Sequence, residues 1–257
     1  MMHYDIITKT FEKRHPMKLL IIRHGDPDYS IDSLTPQGHI EAQLLAERMA
    51  KVDITAFYVS PLGRARKTAE YTLEKMNRTA EICEWLQEFS PKVDKPHRNQ
   101  AVAWDWRPKD WTPIDDFYDF EKWSHVPAFE KAGVPAEYTR VTAEFDKLLA
   151  KHGYVRDGRY YRVEKANEDT LVFFCHFGLE CVLLSHLLQI PPMLLWHGFC
   201  AAPTGVTTVV TEERQEGIAY FRTTQFGDVS HLYLGGEEPS FAARFCETYH
   251  TPNQRRD

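Results

Sequence analysis

Two histidines, His24 and His176, each follow a short apolar run and precede a glycine by no more than two positions. The runs are residues 18–22 (KLLII) and residues 171–175 (LVFFC), a pattern typical of strands that are buried on both faces of a sheet. A nearby glycine lets the backbone turn sharply and approach a ligand closely. Because a neutral imidazole can act as a nucleophile, both histidines are candidates for covalent catalysis.

Two arginines accompany these histidines at the predicted strand ends. Arg23 directly precedes His24, and Arg64 follows a third apolar run, residues 56–60 (AFYVS), at the start of a helix predicted over residues 64–76. The carboxyl ends of parallel strands meet at one edge of a sheet, so we expect these side chains to converge. Guanidinium groups match phosphate oxygens bidentately, and a helix N-terminus also favours an anion. The cluster therefore predicts a phosphate site with a histidine nucleophile.

Each of these residues could instead have a structural role alone. A lone histidine is more often an ordinary hydrogen-bonded side chain than a catalytic one, and Arg64 could lie on a helix surface. A cation at a helix N-terminus opposes the helix dipole, however, so a bound anion explains Arg64 better. Two histidines and two arginines at neighbouring strand ends likewise favour a functional cluster.

The patterns of strand and helix alternate twice within about the first eighty residues and resume after about residue 165. This alternation predicts an α/β fold, a three-layer α/β/α sandwich with a mostly parallel central sheet. We expect residues 1–257 to form a single domain. Residues 1–16, which precede a second methionine at Met17, are interpreted as an N-terminal extension or an upstream start.

The alternation breaks over about residues 89–165, where Trp, Pro and Asp are frequent in the first half. We expect this long insertion to form a cap over the catalytic edge and to influence substrate choice. Within it, Asp157 and Gly158 lie between aromatic residues and predict a type I′ hairpin turn.

The composition limits the expected partners. The formal net charge is −6 without a long basic block, so we expect no nucleic-acid partner. No apolar run has the length of a membrane span, and the polar N-terminus does not resemble a signal peptide, so we expect no membrane partner. Five cysteines without a CxxC pair indicate reduced thiols and a cytoplasmic location. The other histidines lack metal-ligand spacing, so we predict no metal and no cofactor, and the oligomeric state stays open.

Five segments, in order along the chain, resemble the histidine phosphatase (phosphoglycerate-mutase-like) superfamily. They are residues 20–25 (LIIRHG), 32–38 (DSLTPQG), 60–69 (SPLGRARKTA), 171–178 (LVFFCHFG) and 226–232 (FGDVSHL). Each is weakly specific alone, but together they lie within residues 17–232 in the order of the family. The resemblance implies a phosphohistidine at His24. Arg23 and Arg64 would bind the phosphoryl oxygens, and His176 would complete the pocket.

The resemblance also implies an acidic proton donor. Family members carry a glutamate in an L-x-E segment, which residues 86–88 (LQE) match, so Glu88 is the candidate. The sequence that usually follows is absent, which keeps Glu84 and Asp94 as alternatives. A donor at this place should be partly buried, so that its pKa rises toward neutrality.

Three positions depart from the family pattern and concern the substrate. Phe177 replaces the usual first glycine after the second histidine, and Ser30 stands where many relatives have asparagine. Residues 26–28 (DPD) follow the first motif in place of the common Glu-Thr or Glu-Ser. We expect Ser30 and Phe177 to contact the substrate, a small phosphorylated molecule whose identity the sequence does not reveal.

The resulting prediction is an enzyme that hydrolyses a phosphomonoester through a phosphohistidine intermediate on His24. A mutase that returns the phosphoryl group to a second oxygen of the same substrate is the main alternative. An inactive protein that retains the pocket for phosphate-containing ligands is a third possibility, which a large separation of Glu88 from His24 would favour.

Overall fold

The computed structural model describes residues 15–240 together with residues 248 and 250, so the predicted extension lies almost wholly outside the described residues. The strands are β1 (Lys18–Arg23), β2 (Pro27–Asp28), β3 (Ser33–Leu34), β4 (Ala56–Val59), β5 (Glu81–Ile82), β6 (Val93–Lys95), β7 (Arg98–Ala101), β8 (Tyr154–Asp157), β9 (Tyr160–Val163), β10 (Thr170–Cys175), β11 (Val206–Gln215) and β12 (Ile218–Asp228). The helices are α1 (Pro36–Met49), α2 (Gly63–Met76), α3 (Pro108–Trp111), α4 (Pro127–Lys131), α5 (Val134–Lys151), α6 (Phe177–Leu188), α7 (Pro192–Gly198) and α8 (Ser230–Leu234).

The central sheet has eight strands in the order β5-β4-β10-β1-β11-β12-β9-β8. β5, β4, β10 and β1 pair in parallel, whereas the pairings from β1 onward to β8 are antiparallel. The predicted α/β fold with a parallel core is confirmed. β1 and β10 pair along their whole length, from Lys18 opposite Thr170 to Arg23 opposite Cys175. This register brings the residues after both strands, His24 and His176, to the same edge.

Helices cover both faces of the sheet. The side chains of a strand alternate between the two faces, so neighbouring residues of β1 pack against different helices. Ile22 of β1 belongs to the apolar cluster that contains Leu45 of α1 and Ala69 of α2. Ile21 belongs to the cluster on the other face, which contains Phe145 of α5 and most of α6. Fully burying an isoleucine stabilises a fold by roughly 1.5–3 kcal/mol, so both faces anchor β1 and fix the position of the loop that follows it.

The inserted region contributes to the main sheet as well as to the surface. β6 and β7 form a separate two-stranded ribbon, but β9 pairs with β12, and β8 pairs with β9. The predicted hairpin at residues 154–161 is present, with Gly158 and Arg159 as its loop. The type I′ turn is wrong, because that turn needs positive φ at both loop residues and only Gly158 has it.

No helix among the described residues combines the length and the apolar character needed to cross a membrane.

Candidate active site

His24 lies directly after β1 and is almost completely buried. Its backbone N–H donates to the carbonyl of Cys175 at 3.0 Å, which ties it to β10. Its ring Nδ1 lies 2.8 Å from the carbonyl oxygen of Gly25. A carbonyl can only accept, so Nδ1 carries the proton and Nε2 has the free lone pair.

Burial holds the pKa of His24 well below its ordinary value, and the positive charges of Arg23 and Arg64 lower it further. The ring is therefore neutral near pH 7, as a nucleophile must be.

His176 follows β10 and is the residue from which α6 begins. Its ring centroid lies 5.1 Å from that of His24. Its Nε2 lies 2.8 Å from the hydroxyl of Ser60, whereas its Nδ1 is buried without a hydrogen-bond partner in the described part of the chain. Burial lowers the pKa of His176 well below its ordinary value, and His24, Arg64 and Arg23 lower it further.

Two arginines provide the positive charge of this cluster. Arg23, the last residue of β1, is buried, and its guanidinium donates to the carbonyl of Ala201. Arg64 lies in the first turn of α2 with a side chain that is 12% exposed. Its Nε is buried and has no hydrogen-bond partner among the described residues. Because both arginines lower the pKa values of both histidines, the four side chains form one electrostatic unit.

Asp32 holds the start of α2, a role that the sequence did not reveal. Its Oδ2 accepts from the backbone N–H of Gly63 at 2.7 Å, and its Oδ1 pairs with Arg64 at 2.6 Å. Burial raises the pKa of Asp32, but these hydrogen bonds and the charge of Arg64 hold it below its ordinary value. Gly63 is required here, because a Cβ would lie 2.1 Å from the Asp32 carbonyl oxygen.

Glu88 lies at the N-terminus of α6, next to His176. Its Oε1 accepts from the backbone N–H groups of Phe89 and Leu179, each at 2.9 Å, and its Oε2 accepts from that of Gly178 at 3.4 Å. Burial raises the pKa of Glu88, although these hydrogen bonds and the charges of Arg64 and Arg23 oppose the rise.

The two alternative donors lie in other surroundings. Glu84 is exposed and accepts from the side-chain amide of Gln87 at 3.0 Å. Asp94 pairs with Lys131, also at 3.0 Å. The hydrogen bonds of Glu88 to the first turn of α6, and the effect of the Arg64 and Arg23 charges on its pKa, favour Glu88 as the donor.

The two predicted substrate contacts differ in their positions. Phe177 is buried, and the guanidinium of Arg23 lies 5.8 Å from its ring centroid. Ser30 is exposed, and its hydroxyl donates to Asp28 at 2.6 Å. The Ser30 side chain thus belongs to the loop that leads to Asp32, whereas Phe177 lies within the cluster.

Two buried acids near the cluster, Glu41 and Glu180, were not predicted. Glu41 accepts from the backbone N–H of Asp26 at 2.8 Å, and burial raises its pKa to about 7. Glu180 lies on α6, and burial raises its pKa to about 8. The sequence pattern that could have identified Glu180 as a buried acid is its position as the single acid within the apolar segment 179–184 (LECVLL).

His231, which lies in the late motif, supports the loop behind His24. Its Nε2 lies 3.0 Å from the hydroxyl of Thr204, whose backbone N–H donates to the carbonyl of His24 at 3.2 Å. Burial lowers the pKa of His231 to about 4. Within the described part of the chain, no group of three or more His, Cys, Asp or Glu side chains could hold a metal ion.

The sequence model of the histidine phosphatase superfamily (branch 1) matches residues 19–224. This match covers most of the chain and includes every residue of the cluster, so the chain belongs to the histidine phosphatase superfamily. The predicted family is confirmed. Sequence comparison found no match among curated proteins.

Solved phosphatases share the fold. A mutant phosphoserine phosphatase from Entamoeba histolytica in complex with phosphoserine has a TM-score of 0.56 and 20% sequence identity, covering 84% of this chain and 99% of that chain. A native mycobacterial glucosyl-3-phosphoglycerate phosphatase has a TM-score of 0.52 and 19% identity, covering 82% of this chain and 98% of that chain. At these identities the likeness shows a common fold.

Proposed function

We propose that this protein hydrolyses a phosphomonoester of a small molecule through a phosphohistidine on His24. The observation that carries the proposal is the neutral, buried ring of His24, whose Nδ1 is bound to the Gly25 carbonyl so that Nε2 is the nucleophile. Arg23, Arg64 and His176 surround this ring with hydrogen-bond donors suited to phosphoryl oxygens.

The buried atoms of the cluster support a phosphoryl ligand. His176 Nδ1 and Arg64 Nε are both buried without hydrogen-bond partners among the described residues, and a buried polar group without a partner costs free energy. We assign the proton of His176 to Nδ1, with the Ser60 hydroxyl donating to Nε2. Both unpaired atoms are then donors, and phosphoryl oxygens are acceptors.

In the first step, His24 Nε2 attacks the phosphorus atom. The N–P bond forms as the P–O bond to the leaving group breaks, and the two arginines stabilise the charge on the remaining phosphoryl oxygens. Glu88 in its acid form transfers its proton to the leaving oxygen. The raised pKa of Glu88 supports this role, because a general acid must hold its proton until the bond breaks.

In the second step, a water molecule attacks the phosphorus atom of the phosphohistidine. Glu88, now a carboxylate, accepts the proton of the water while the N–P bond breaks. Inorganic phosphate leaves, and both His24 and Glu88 return to their starting states. The solved phosphatases of the same fold include proteins named for phosphoserine and for glucosyl-3-phosphoglycerate, which supports hydrolysis of a small phosphorylated substrate.

The proposal is tested by measuring phosphate release from a panel of phosphomonoesters at pH 5–8, for the wild type, His24→Ala and His125→Ala. The panel includes a mutase assay with 3-phosphoglycerate. His125 is an exposed histidine paired with Glu130 and serves as the matched control. Loss of the nucleophile should lower kcat by at least ~10³-fold, whereas the control should keep its activity.

Acid-labile labelling of the wild type, absent from His24→Ala, would identify the phosphohistidine. Mutase turnover without net release would contradict hydrolysis. Binding of inorganic phosphate without turnover of any substrate would favour a binding protein over an enzyme.

A further inference from the structure

Glu180 is a completely buried acid that lies one helical turn after His176. It lies in the first turn of α6, where its backbone N–H donates to the carbonyl of His176 at 2.8 Å. The proposed reaction does not use its side chain. A buried carboxyl group is costly unless it is well hydrogen-bonded or neutral, so this position needs an explanation.

The carboxyl group of Glu180 has too few hydrogen bonds to stabilise its ionised form. The Thr207 hydroxyl donates to Glu180 Oε1 and accepts from the backbone N–H of Gly227 at 2.9 Å. Glu180 Oε2 is buried without a hydrogen-bond partner in the described residues. By contrast, Glu88 accepts from three backbone N–H groups. An ionised carboxylate with a single donor is strongly disfavoured in a buried place.

The charged and titratable groups around Glu180 come from each neighbouring element. Arg23 of β1 favours the ionised form, whereas Glu88, whose side chain is hydrogen-bonded to the first turn of α6, disfavours it. The thiols of Cys175 on β10 and Cys181 on α6 also interact with it, and both have raised pKa values because they are buried. β11 contributes the uncharged Thr207. Burial outweighs the attraction of Arg23 and raises the pKa of Glu180 to about 8.

We propose that Glu180 is a positioning residue that works as a neutral acid behind Arg23. While Glu180 is neutral, it adds no negative charge near Arg23 or near the phosphoryl oxygens. Ionisation of Glu180 places a negative charge near Arg23 and near the bound anion, which weakens anion binding. This inference rests on the proposed phosphate pocket.

The test measures the Kd of inorganic phosphate by calorimetry from pH 6 to pH 9 for the wild type and Glu180→Gln. Glutamine has the shape of the neutral acid, so the two proteins should bind phosphate within about 2-fold of each other at pH 6–7. At pH 9 the wild type should bind at least ~5-fold more weakly than Glu180→Gln, because the loss of one proton is linked to the loss of affinity. The titration of phosphate itself affects both proteins equally and cancels in the ratio.

Two variants of Thr207 provide a readout that a packing role would not change. Thr207→Val removes the donor to Glu180 Oε1, so the loss of phosphate affinity in that variant should begin at a higher pH than in the wild type. Thr207→Ser keeps the hydroxyl and should match the wild type. Both variants leave Glu180 in place, so they test the proposal even where Glu180→Gln does not fold.

Tenfold weaker binding by Glu180→Gln at pH 6–7 would show that Glu180 works as an ion and would overturn the proposal. Parallel pH profiles of the wild type, Glu180→Gln and Thr207→Val would do the same. Absence of phosphate binding in every protein would contradict the pocket itself, whereas binding without turnover would contradict the proposed hydrolysis and leave the pH comparison valid.

Discussion

The carboxyl group of Glu88 experiences two opposing influences. Burial favours the neutral acid, while the backbone N–H groups at the start of α6 and the two arginines favour the carboxylate. Burial is the largest of these influences, so the pKa of Glu88 lies above its ordinary value. A residue that acts first as an acid and then as a base needs such a balance, because either form must be reached within one turnover.

We therefore expect the effect of Glu88→Gln to depend on the leaving group. For alkyl phosphates, kcat/KM should fall by roughly 10²–10⁴-fold, the usual contribution of a general acid. For 4-nitrophenyl phosphate the loss should be much smaller, because the nitrophenolate ion leaves without a proton. The matched control is Glu84→Gln, since Glu84 is exposed and lies four residues earlier. Equal losses of kcat/KM for both substrates would exclude Glu88 as the acid.

The first turn of α6 packs closely against its surroundings. A Cβ at Gly178 would lie 2.5 Å from two ring atoms of Trp104 and 2.8 Å from Glu88 Oε1. Trp104 is itself buried against Trp196, whose indole N–H donates to the Gly178 carbonyl at 3.0 Å. The inserted region thus contacts the catalytic edge through Trp104, and Gly178 allows the indole and the carboxylate to fit beside the helix.

Gly178→Ala should therefore reduce activity by displacing Glu88. A displacement of about 1 Å can cost ~10²-fold in rate, and overpacking typically destabilises a fold by about 1–3 kcal/mol. Gly198→Ala is the control, because a Cβ at Gly198 on α7 meets no atom within 4 Å. The measurements are kcat/KM and thermal unfolding of both variants. Unchanged kcat/KM in Gly178→Ala would mean that the contact does not position Glu88.

The elements that carry the cluster were predictable to different degrees. β1 and β10 are unbroken apolar runs, a local signal, and their paired register places His24 beside His176. The role of Asp32 depends on a partner 32 residues later in the chain, and local patterns do not reveal such a contact. β8 and β9 were expected in a cap, but β9 pairs with β12, more than fifty residues further on.

The whole molecule combines a negative net charge with a cationic interior site. The formal net charge is −6, yet Arg23 and Arg64 lie together beside two neutral histidines. Two buried acids on which the charge of Arg23 acts, Glu41 and Glu180, have pKa values raised to about 7 and about 8. Near neutral pH Glu180 is thus largely protonated and Glu41 about half protonated, so these two acids cancel only part of the positive potential of the site.

These raised values also make the stability of the fold depend on pH. A group whose folded pKa lies above its unfolded value contributes stability at low pH and loses that contribution as the pH rises through the folded pKa. For Glu180 this window extends from the ordinary value of 4.5 to about 8. Between pH 6 and pH 9 about two pH units lie inside the window, so at ~1.4 kcal/mol per unit the loss from Glu180 amounts to about 3 kcal/mol.

We expect the Tm of the wild type to fall by roughly 6–12 °C more than that of Glu180→Gln between pH 6 and pH 9, since about 1 kcal/mol shifts the Tm of a domain of this size by ~2–4 °C. The amide cannot ionise, so Glu180→Gln retains the stability of the neutral form at high pH. Calorimetry of both proteins at several pH values measures the difference. Glu216→Gln, in the exposed turn between β11 and β12, is the control and should follow the wild type. Parallel Tm curves for the wild type and Glu180→Gln would mean that Glu180 is already ionised in the folded protein at pH 6, so that its folded pKa is not raised.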